Sequence, residues 1–444
     1  MKPRAHPERR GALWVLLYAL LLTTPLFVLA SGLSDLPGSG WWFDFAMGLG
    51  FGALALMGGQ FLLTARFRRA TSPFGIDVVY QFHRWLAVGG LTLLFAHWLI
   101  LRVRYPSALL PWTPSAAPAY MTAGRLALLL FALLVVSSLW RKALRIEYDR
   151  WRVAHAVTAT AAVALALVHV RGVGYYTGVF WNRLVIDLFA ASLVAVVVHV
   201  RILKPILASA QPYRVSAVQR QRGDAWTLRL EPEHHEGMHF LPGQFGWLSL
   251  GGAPWKANEH PFSFSSAPDA SGAVEMTIKE LGDFTRTIGG TEVGAVAHID
   301  GPHGSFSVDL HPEAPGYFFL AGGIGIAPII SMLRALAERG DRRPLWLVLG
   351  NSRPDRATFL EEIEALRGRL DLRFTHVVEE PPEGWAGETG YPTPQLIGRV
   401  LEDAPPGIHC YLCGPLPMSR MAQHALRDVG VPMRRVHFEL FEMA

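Results

Sequence analysis

Two apolar stretches of this chain decide its fold: residues 78–101, VVYQFHRWLAVGGLTLLFAHWLIL, and residues 153–170, VAHAVTATAAVALALVHV. Both are close to the ~20 residues that an α-helix needs to cross the hydrocarbon core of a membrane. Both also carry two histidines, which is unusual because ionisable side chains are costly inside a bilayer. The four are His83 and His97 in the first stretch, and His155 and His169 in the second.

Apolar stretches of similar length fill most of the first 205 residues. The first of them has the basic flank of a signal peptide, but its apolar core is long and no clear cleavage site precedes a hydrophilic chain. We therefore interpret it as a retained helix, and the sequence predicts a bundle of six membrane-spanning helices. Their approximate bounds are 12–30, 43–64, 78–101, 121–140, 153–170 and 182–203.

Composition divides the chain into two halves. The 444 residues are 51% hydrophobic and 17% charged, and the mean hydropathy of +0.25 is high for a water-soluble protein. Residues 1–205 hold 20 Lys/Arg and 7 Asp/Glu, whereas residues 206–444 hold 21 and 29. A single globular domain and a disordered chain are excluded. Because the basic residues lie in the apolar half, the pI of about 9.3 does not indicate nucleic-acid binding.

Positive charge is concentrated in alternate loops of the apolar half. The N-terminal tail has four Lys/Arg, the 65–77 loop three and the 141–152 segment five, whereas each intervening loop has two or fewer. Basic loops remain on the cytoplasmic side of a membrane. The sequence therefore predicts that both termini, and with them the soluble half, are cytoplasmic.

The spacing of the four histidines predicts two metal sites. Fourteen residues make almost four helical turns, so both histidines of a helix share one face, about 21 Å apart along the axis. Since the two helices run in the same direction, His83 and His155 share an inner depth, and His97 and His169 an outer depth. Each pair can supply the two axial imidazoles of a haem iron. One zinc or copper ion could not bridge both depths.

Other polar residues of the spans leave alternatives open. An intramembrane histidine also serves in packing or in a proton path, and we keep that interpretation for His199. Contact with haem propionates and snorkelling to the membrane interface explain four arginines equally well. These are Arg84 and Arg152 near the inner depth, and Arg102 and Arg171 near the outer depth.

The soluble half has two patterns. After a short linker, alternating runs separated by Gly, Pro and Asn predict an antiparallel barrel over residues 212–310. From residue 311 onward, buried strands alternate with helices, which predicts a doubly wound parallel sheet over residues 311–444. The fold class is thus a six-helix transmembrane bundle, a β-barrel and an α/β nucleotide-binding domain.

Two motifs in the α/β region carry chemistry. Gly322-Gly-Ile-Gly-Ile-Ala-Pro328 joins a strand to a helix, where backbone N–H groups can bind a pyrophosphate. Tight strand–helix packing is the alternative use of these glycines. Cys410-Tyr-Leu-Cys413-Gly-Pro-Leu-Pro-Met418 ends another strand. A metal or dithiol site there is the weaker interpretation, because these are the chain's only cysteines and Cys410 should point into the sheet.

On these motifs the soluble half resembles the ferredoxin–NADP reductase superfamily. The whole chain, from about residue 12, resembles the NADPH oxidase / ferric reductase family, including its bacterial members. Leu241-Pro-Gly-Gln-Phe245 and His260-Pro-Phe-Ser-Phe-Ser-Ser266 look like that family's flavin segment, and Gly301-Pro-His-Gly304 is similar to its Gly-Pro-Tyr-Gly turn, with His303 a departure. The resemblance implies that FAD is lined by His260, Pro261, Phe262, Ser263 (near the reactive flavin nitrogen), Lys279, Gly282 and Thr285.

The same resemblance implies a nucleotide site. It assigns the pyrophosphate loop to Gly322, Gly323, Gly325 and Pro328, and the nicotinamide side to Cys413, Gly414, Pro415 and Met418. Ser352 and Arg353 resemble a 2′-phosphate clamp, which favours NADPH over NADH. Glu439 and Phe441 resemble the superfamily's closing Glu-x-aromatic feature, in which the aromatic ring covers the flavin until nicotinamide displaces it. Three residues follow Phe441, a mild departure, and a packed terminal aromatic is its alternative role.

Together these features predict an oxidoreductase of the bacterial inner membrane, with Ser263, Cys413, Glu439 and Phe441 as its catalytic candidates. Electrons from NADPH pass through FAD and two b-type haems to an outer acceptor. We expect O₂, giving superoxide, because the outer loops lack a carboxylate cluster that would bind iron itself; ferric-chelate reduction is the alternative. A haem protein that acts only as a partner or sensor is disfavoured by the flavin and nucleotide motifs. We expect no obligatory protein partner.

Overall fold

The computed structural model describes residues 7–35, 40–66, 76–109, 111, 113, 116–251 and 259–439. The chain divides into two compact units, Met1–Pro205 and Ile206–Ala444. The first unit is helical. Its long helices are α1 (Pro7–Asp35), α2 (Trp41–Thr64), α3 (Ile76–Arg104), α4 (Ala119–Leu139), α5 (Tyr148–Val173) and α6 (Phe180–Val198), and a π-helical turn, His199–Leu203, joins α6 to the short α7 (Lys204–Ser209).

Five helices within the described ranges are long and apolar enough to cross a membrane. They are α2 to α5 and the continuous segment Phe180–Ser209 that contains α6. The first helix contributes a shorter apolar segment, Val15–Ser31. An integral membrane bundle is therefore supported, while the sixth span remains a prediction.

Two helices of this bundle, α3 and α5, are only partly covered by their neighbours. Helix α3 packs mainly on α2, and α5 packs mainly on α4, whereas α3 and α5 hardly touch each other. Only 11% of the apolar segment of each of these two helices is buried. The centre of the bundle is instead formed by buried side chains such as Leu54, Phe131 and Phe189. The two histidine-bearing helices thus keep exposed faces.

The second unit begins with six antiparallel strands. They are β1 (Tyr213–Gln221), β2 (Ala225–Pro232), β3 (Phe245–Leu250), β4 (His260–Ser263), β5 (Val274–Lys279) and β6 (Val296–His303), with the short helix α8 (Asp283–Arg286) after β5. Their order in the sheet is β4-β3-β6-β1-β2-β5. A bridge between Phe264 and Met276 brings the two edges together around a core that includes Leu228 and Leu248. The predicted antiparallel barrel is confirmed.

A parallel sheet with helices on both faces follows. The elements are β7 (Tyr317–Gly322), α9 (Ile326–Glu338), β8 (Leu345–Asn351), α10 (Leu360–Leu366), β9 (Leu372–Val378), β10 (Glu388–Thr389), α11 (Pro394–Val400), β11 (His409–Cys413), α12 (Leu416–Asp428) and β12 (Val436–Glu439). The strand order is β10-β9-β8-β7-β11-β12. The predicted doubly wound sheet is confirmed. The predicted boundary near residue 310 falls in the connection from β6 to β7.

Strand alternation explains why both faces of this sheet are covered. Along β7, Tyr317 and Phe319 pack in the cluster that contains α9 and α10, whereas Phe318 and Leu320 pack in the cluster that contains α11 and α12. Successive side chains of a strand point to opposite faces, so a continuous apolar run buries both. Burying each such large side chain stabilises the fold by about 1.5–3 kcal/mol.

Candidate electron-transfer sites

The inner histidine pair consists of His83 on α3 and His155 on α5. The ring centroids of His83 and His155 are 6.3 Å apart, and the ring planes meet at 64°. A metal–nitrogen distance of about 2 Å, with about 1 Å more to each ring centre, separates two ligands on opposite sides of one ion by about 6 Å. The pair therefore has the separation of two imidazoles with an iron between them.

The outer histidines are oriented by backbone carbonyls of the neighbouring helices. Nδ1 of His97 lies 2.7 Å from the carbonyl oxygen of Ala46 on α2, and Nδ1 of His169 lies 3.1 Å from that of Tyr120 on α4. A carbonyl oxygen only accepts, so Nδ1 must carry the proton in both rings. This leaves Nε2 as the unprotonated nitrogen, the form in which histidine binds a metal.

The inner histidines are oriented by side chains instead. The Ser138 hydroxyl on α4 donates to the carbonyl of Leu134 at 2.5 Å, so its oxygen is left to accept from Nδ1 of His155, 3.4 Å away. The side-chain amide of Gln60 on α2 contacts Nδ1 and the backbone carbonyl of His83. The amide nitrogen donates to both of these atoms, so Nδ1 of His83 is an acceptor here, unlike Nδ1 of the other three rings. All four histidines thus have an Nδ1 contact on α2 or α4.

Two glycines make room for the outer histidines. A Cβ atom on Gly50 would lie 3.1 Å from Nδ1 of His97, and one on Gly124 would lie 2.6 Å from Nδ1 of His169. Each glycine follows the carbonyl residue, Ala46 or Tyr120, by four positions and so lies next to it on the same helix face. The absence of a side chain there lets the imidazole reach the backbone.

Further residues near the pairs bear on the haem assignment. Trp151, one turn before His155, has its ring centre 4.9 Å from that of His155, with the planes tilted by 42°. Its indole N–H is buried without a hydrogen-bond partner among the described residues. Such a donor fits a bound acceptor such as a carboxylate. Arg171 forms two hydrogen bonds with Asp187, at 2.8 and 3.1 Å, so its guanidinium is already engaged.

The sequence located the four histidines but missed their partners. Gln60 gave a usable signal, because it is a buried amide within an apolar span. Ser138 gave a weaker one, since hydroxyl side chains are common in such helices. Ala46 and Tyr120 gave none, because they act through backbone carbonyls that every residue has.

On the barrel, strand β4 carries the predicted flavin segment. His260 and Phe262 lie on one side of this strand and Pro261 and Ser263 alternate with them. The ring of Phe284 stacks on His260 at 4.0 Å and lies parallel to Phe262 at 6.1 Å. The hydroxyl of Ser263 is buried and has no hydrogen-bond partner among the described residues. A buried hydroxyl without a partner is able to hydrogen-bond to a bound group, as the predicted flavin contact requires.

The predicted ribityl and pyrophosphate segment forms a turn beside the barrel. Thr285 Oγ1 accepts the backbone N–H groups of Leu281 and Gly282, both at 2.8 Å. The position that a Cβ on Gly282 would occupy has no atom within 4 Å. Lys279 ends β5 immediately before this turn. The turn is therefore open to a ligand, and Phe284 within it is the residue of this site that the sequence did not single out.

The two nucleotide motifs meet where the strand order reverses. From β7 the chain proceeds outward to β8, β9 and β10, and then returns to β11 on the other side of β7. Ligands of doubly wound sheets bind at the carboxyl ends of the strands at such a point. The glycine loop follows β7 and the Cys413–Met418 loop follows β11, so both flank this crevice.

These two loops pack without space for side chains. A Cβ on Gly322 would lie 2.8 Å from Pro415 and 3.0 Å from the sulfur of Met418, and one on Gly325 would lie 2.1 Å from the Cys413 carbonyl. Gly414, at φ +157°, lies against Gly322. Gly323 instead has φ +54° and open space around it, and Pro328 lies in the first turn of α9. Tight packing and an open backbone turn are thus both present in this motif.

Register and close contacts connect three of the catalytic candidates, Ser263, Cys413 and Glu439. Glu439 on β12 pairs in register with Cys413 on β11, and its Oε1 lies 3.4 Å from where a Cβ on Gly304 would be. Gly304 contacts Phe245, which pairs in register with Ser263 on β4. The barrel and sheet sides of the site are therefore linked through this turn. Phe441 lies outside the described residues.

The cysteine pair does not form a dithiol or metal site. Cys410 belongs to the cluster on one face of the sheet and Cys413 to the cluster on the other. Burial raises the pKa of the Cys410 thiol to about 12, and burial together with Glu439 raises the pKa of the Cys413 thiol. Both thiols are neutral at physiological pH.

The predicted 2′-phosphate clamp lies apart from this packed junction. Ser352 and Arg353 are exposed and follow β8, next to β7, at the carboxyl edge of the sheet. The Arg353 guanidinium is 3.2 Å from the Asp355 carboxylate. A phosphate would therefore compete with this carboxylate for the guanidinium.

Comparison with known proteins finds one matching domain in each half of the chain. Residues 49–166 match the ferric reductase like transmembrane component, and residues 319–424 match the oxidoreductase NAD-binding domain. The chain has the architecture of the NADPH oxidase and ferric reductase family. As in that architecture, its reductase-like soluble half indicates binding of FAD and NAD(P)H.

Individual curated relatives resemble about half of this chain. The propane 2-monooxygenase reductase component of Rhodococcus jostii is 32% identical over 51% of this chain and 62% of its own length, which is less than two thirds. Ferredoxin–NADP reductase B of Sorangium cellulosum is 28% identical over 53% of this chain and 100% of its own. A solved flavohemoglobin from Malassezia yamatoensis aligns with 94% of this chain and 99% of its own, at 16% identity and a TM-score of 0.49.

Proposed function

We propose that this protein carries electrons from cytosolic NADPH, through FAD and two b-type haems, to an acceptor on the outer side of the bacterial inner membrane. The acceptor that we favour is O₂, with superoxide as the product. The carrying observation is the state of the four histidines. Nδ1 of His97, His155 and His169 faces an acceptor on a neighbouring helix, which leaves Nε2 for a metal, and the ring of His83 lies 6.3 Å from that of His155.

The bundle itself supports two haems rather than a proton path. A proton path needs donors and acceptors in a chain, whereas here the Nδ1 contacts lead sideways into α2 and α4. Helices α3 and α5, which bear the histidines, make almost no contact with each other. Apolar faces with metal-ready imidazoles fit a flat, largely apolar cofactor between them.

The soluble half supplies hydride transfer and its control. When bound, FAD supplies the conversion of a two-electron hydride into single electrons, which haem iron requires. Ser263 offers its unused hydroxyl to the flavin ring, and the open backbone turn at Gly323 offers N–H groups to the nucleotide pyrophosphate. Glu439 pairs in register with Cys413 and lies near the Gly304 turn, so it is suited to orienting the nicotinamide.

Two acidic residues support a diffusible acceptor. Asp44 accepts a hydrogen bond from Tyr176 at 2.8 Å, and Asp187 pairs with Arg171. In the proposed topology both lie near the outer end of the bundle, and both are already engaged. A bare iron ion would need free oxygen ligands, whereas O₂ needs none. A ferric chelate remains the second candidate because of the matched transmembrane component.

Two assays on detergent-permeabilised membranes, in which both faces are accessible to the added reagents, separate these acceptors. In air, we expect NADPH to drive dye reduction that superoxide dismutase abolishes; without oxygen, we expect little reduction of a ferric chelate. His97→Ala should abolish reduction of the outer acceptor. His376→Ala, which alters a histidine of the soluble half outside the proposed sites, should not. Dye reduction that superoxide dismutase does not lower would reject the oxidase assignment. Fast anaerobic reduction of the chelate would establish ferric-chelate reduction instead.

The purified chain tests the electron path itself. With FAD present, we expect NADPH to be consumed and the bands of paired-imidazole haem to change to the reduced form. A chain that binds haem but leaves NADPH unchanged would instead be a partner or sensor. A chain without those bands would lack the haems, and the proposal would fail.

A further inference from the structure

Three histidines outside the proposed electron path converge at the opposite edge of the parallel sheet. His409 is the first residue of β11, and His437 lies near the start of β12, its neighbour. His311 lies in the connection that leads from the barrel to β7. The cluster therefore forms at the amino ends of the strands, whereas the nucleotide loops follow the carboxyl ends.

The ring nitrogens of this cluster are close together. Nδ1 of His409 lies 3.0 Å from Nε2 of His437, and one ligand nitrogen from each of the three rings lies within 4.8 Å of the others. His409 is buried, and the other two are partly exposed. Small ions can therefore reach the cluster from solvent through His311 and His437.

The separations of the ring centres match those of imidazole ligands around one ion. A metal–nitrogen distance of about 2.0–2.1 Å places each ring centre about 3.2 Å from the ion, so two rings are about 4.5 Å apart at a right angle and about 5.2 Å apart at a tetrahedral angle. The observed separations are 4.2 Å for His311–His409, 4.5 Å for His311–His437 and 5.2 Å for His409–His437.

The charged surroundings allow a divalent cation. Glu313 lies near His311, with 3.8 Å between a carboxylate oxygen and Nδ1, and it is exposed enough to turn towards the cluster. Arg435 is the opposing charge that acts on His409. Glu313 offsets that positive charge and offers an oxygen as a fourth ligand, a position that water can also fill.

We propose that His311, His409 and His437 bind one divalent transition-metal ion, of which zinc is the best-suited common example. Imidazole nitrogen is a preferred ligand of zinc, and three of them leave one open position. His409 and His437 are held in place by the adjacent strands β11 and β12. His311 belongs to the connection between the barrel and β7. The ion would tie the barrel-to-sheet connection to the edge of the sheet, and it is separate from the electron path.

The test uses the full chain, purified without a polyhistidine tag and stripped by a chelator. Titration with Zn²⁺ should give one tight site, and X-ray absorption at the zinc edge should show three imidazole ligands. His311→Ala removes a direct ligand and should weaken zinc binding by at least about 100-fold. Loss of a residue that only hydrogen-bonds to a ligand already costs up to roughly 100-fold in metal affinity. His376→Asn, which alters a partly buried histidine of β9, is the matched control and should leave it unchanged.

The wild-type spectrum keeps the test decisive even if a variant fails to fold. A zinc site with one imidazole or none would overturn the proposal, and so would unchanged binding in His311→Ala. Cobalt(II) provides a second probe, because its visible spectrum should indicate nitrogen ligands in the wild type and in His376→Asn only. Haem bands and NADPH consumption should survive in His311→Ala, so failure here is distinct from failure of the electron path.

Discussion

The imidazole rings of His83 and His155 lie 6.3 Å apart on two helices that hardly touch each other. Each ring is oriented by a side chain of a third or fourth helix, Gln60 for His83 and Ser138 for His155. The outer pair differs, because its partners are backbone carbonyls. The two proposed haems therefore sit in different hydrogen-bond environments, and several predictions distinguish them.

Loss of one histidine should remove one haem. We expect His83→Ala and His97→Ala each to retain about half of the wild-type haem, because the two pairs are separate in depth by about 21 Å. Haem content per protein, measured as the pyridine complex, checks this. Full haem content in both variants would remove these histidines from the ligand set.

Removing a side-chain partner should change one redox potential only. Loss of the Nδ1 acceptor in Ser138→Ala makes the imidazole a poorer electron donor to iron and should raise the potential of the inner haem. A hydrogen bond of roughly 1 kcal/mol corresponds to roughly 40 mV for one electron. Potentiometric titration of the haem bands gives both potentials.

The control for this titration is Tyr120→Phe. This substitution keeps the ring and the backbone carbonyl that faces His169, so both potentials should stay at their wild-type values. If Ser138→Ala shifts both haems, or neither, then Ser138 does not tune the inner haem.

The outer histidine depends on a glycine. Alanine at position 124 would place its Cβ 2.6 Å from Nδ1 of His169, so Gly124→Ala should displace the ring and lower the haem content towards half. Helix propensity does not oppose this change, because alanine is the better helix former. Gly89→Ala is the matched control, since no atom lies within 4 Å of its added Cβ. Equal haem content in the two variants would contradict the prediction.

The sequence could predict site residues that act through their side chains better than those that act through backbone atoms. The positions of His83, His97, His155 and His169 follow from helix geometry, because spacing alone fixes face and depth. The carbonyls of Ala46 and Tyr120 could not be predicted, since their role arises from the crossing of two helices. Periodicity likewise predicted the barrel and the parallel sheet, where each strand has one or two buried faces.

The soluble site shows the same division. The glycine loop after β7 and the Cys413 loop after β11 were predicted separately, and only the strand order brings them together. The histidine cluster of His311, His409 and His437 was not predicted at all. Its members are separated by 98 and 28 positions in the sequence and meet only because β11 and β12 are neighbours.

Nucleotide preference should depend modestly on Arg353. We expect Arg353→Ala to raise KM for NADPH by about fivefold, because an exposed charge pair contributes about 1 kcal/mol, and to leave KM for NADH nearly unchanged. Ser352→Ala should have a smaller effect in the same direction. Steady-state rates with both nucleotides check this. A parallel rise in both KM values would mean that Arg353 does not contact a 2′-phosphate.

The two cysteines should be unreactive in the native protein. Alkylation proceeds through the thiolate, and a pKa near 12 for Cys410 lowers the thiolate fraction at pH 8 by roughly 1000-fold relative to an exposed thiol. Cys413 is affected in the same direction by burial and by Glu439. We expect mass spectrometry after iodoacetamide to find both unmodified at pH 8, and both modified once the chain is unfolded. Because the raised pKa suppresses the thiolate, native labelling should increase as pH rises. Rapid native labelling of either residue at pH 8 would contradict the neutral, buried state, and its loss on adding zinc would return the pair to the metal-site interpretation.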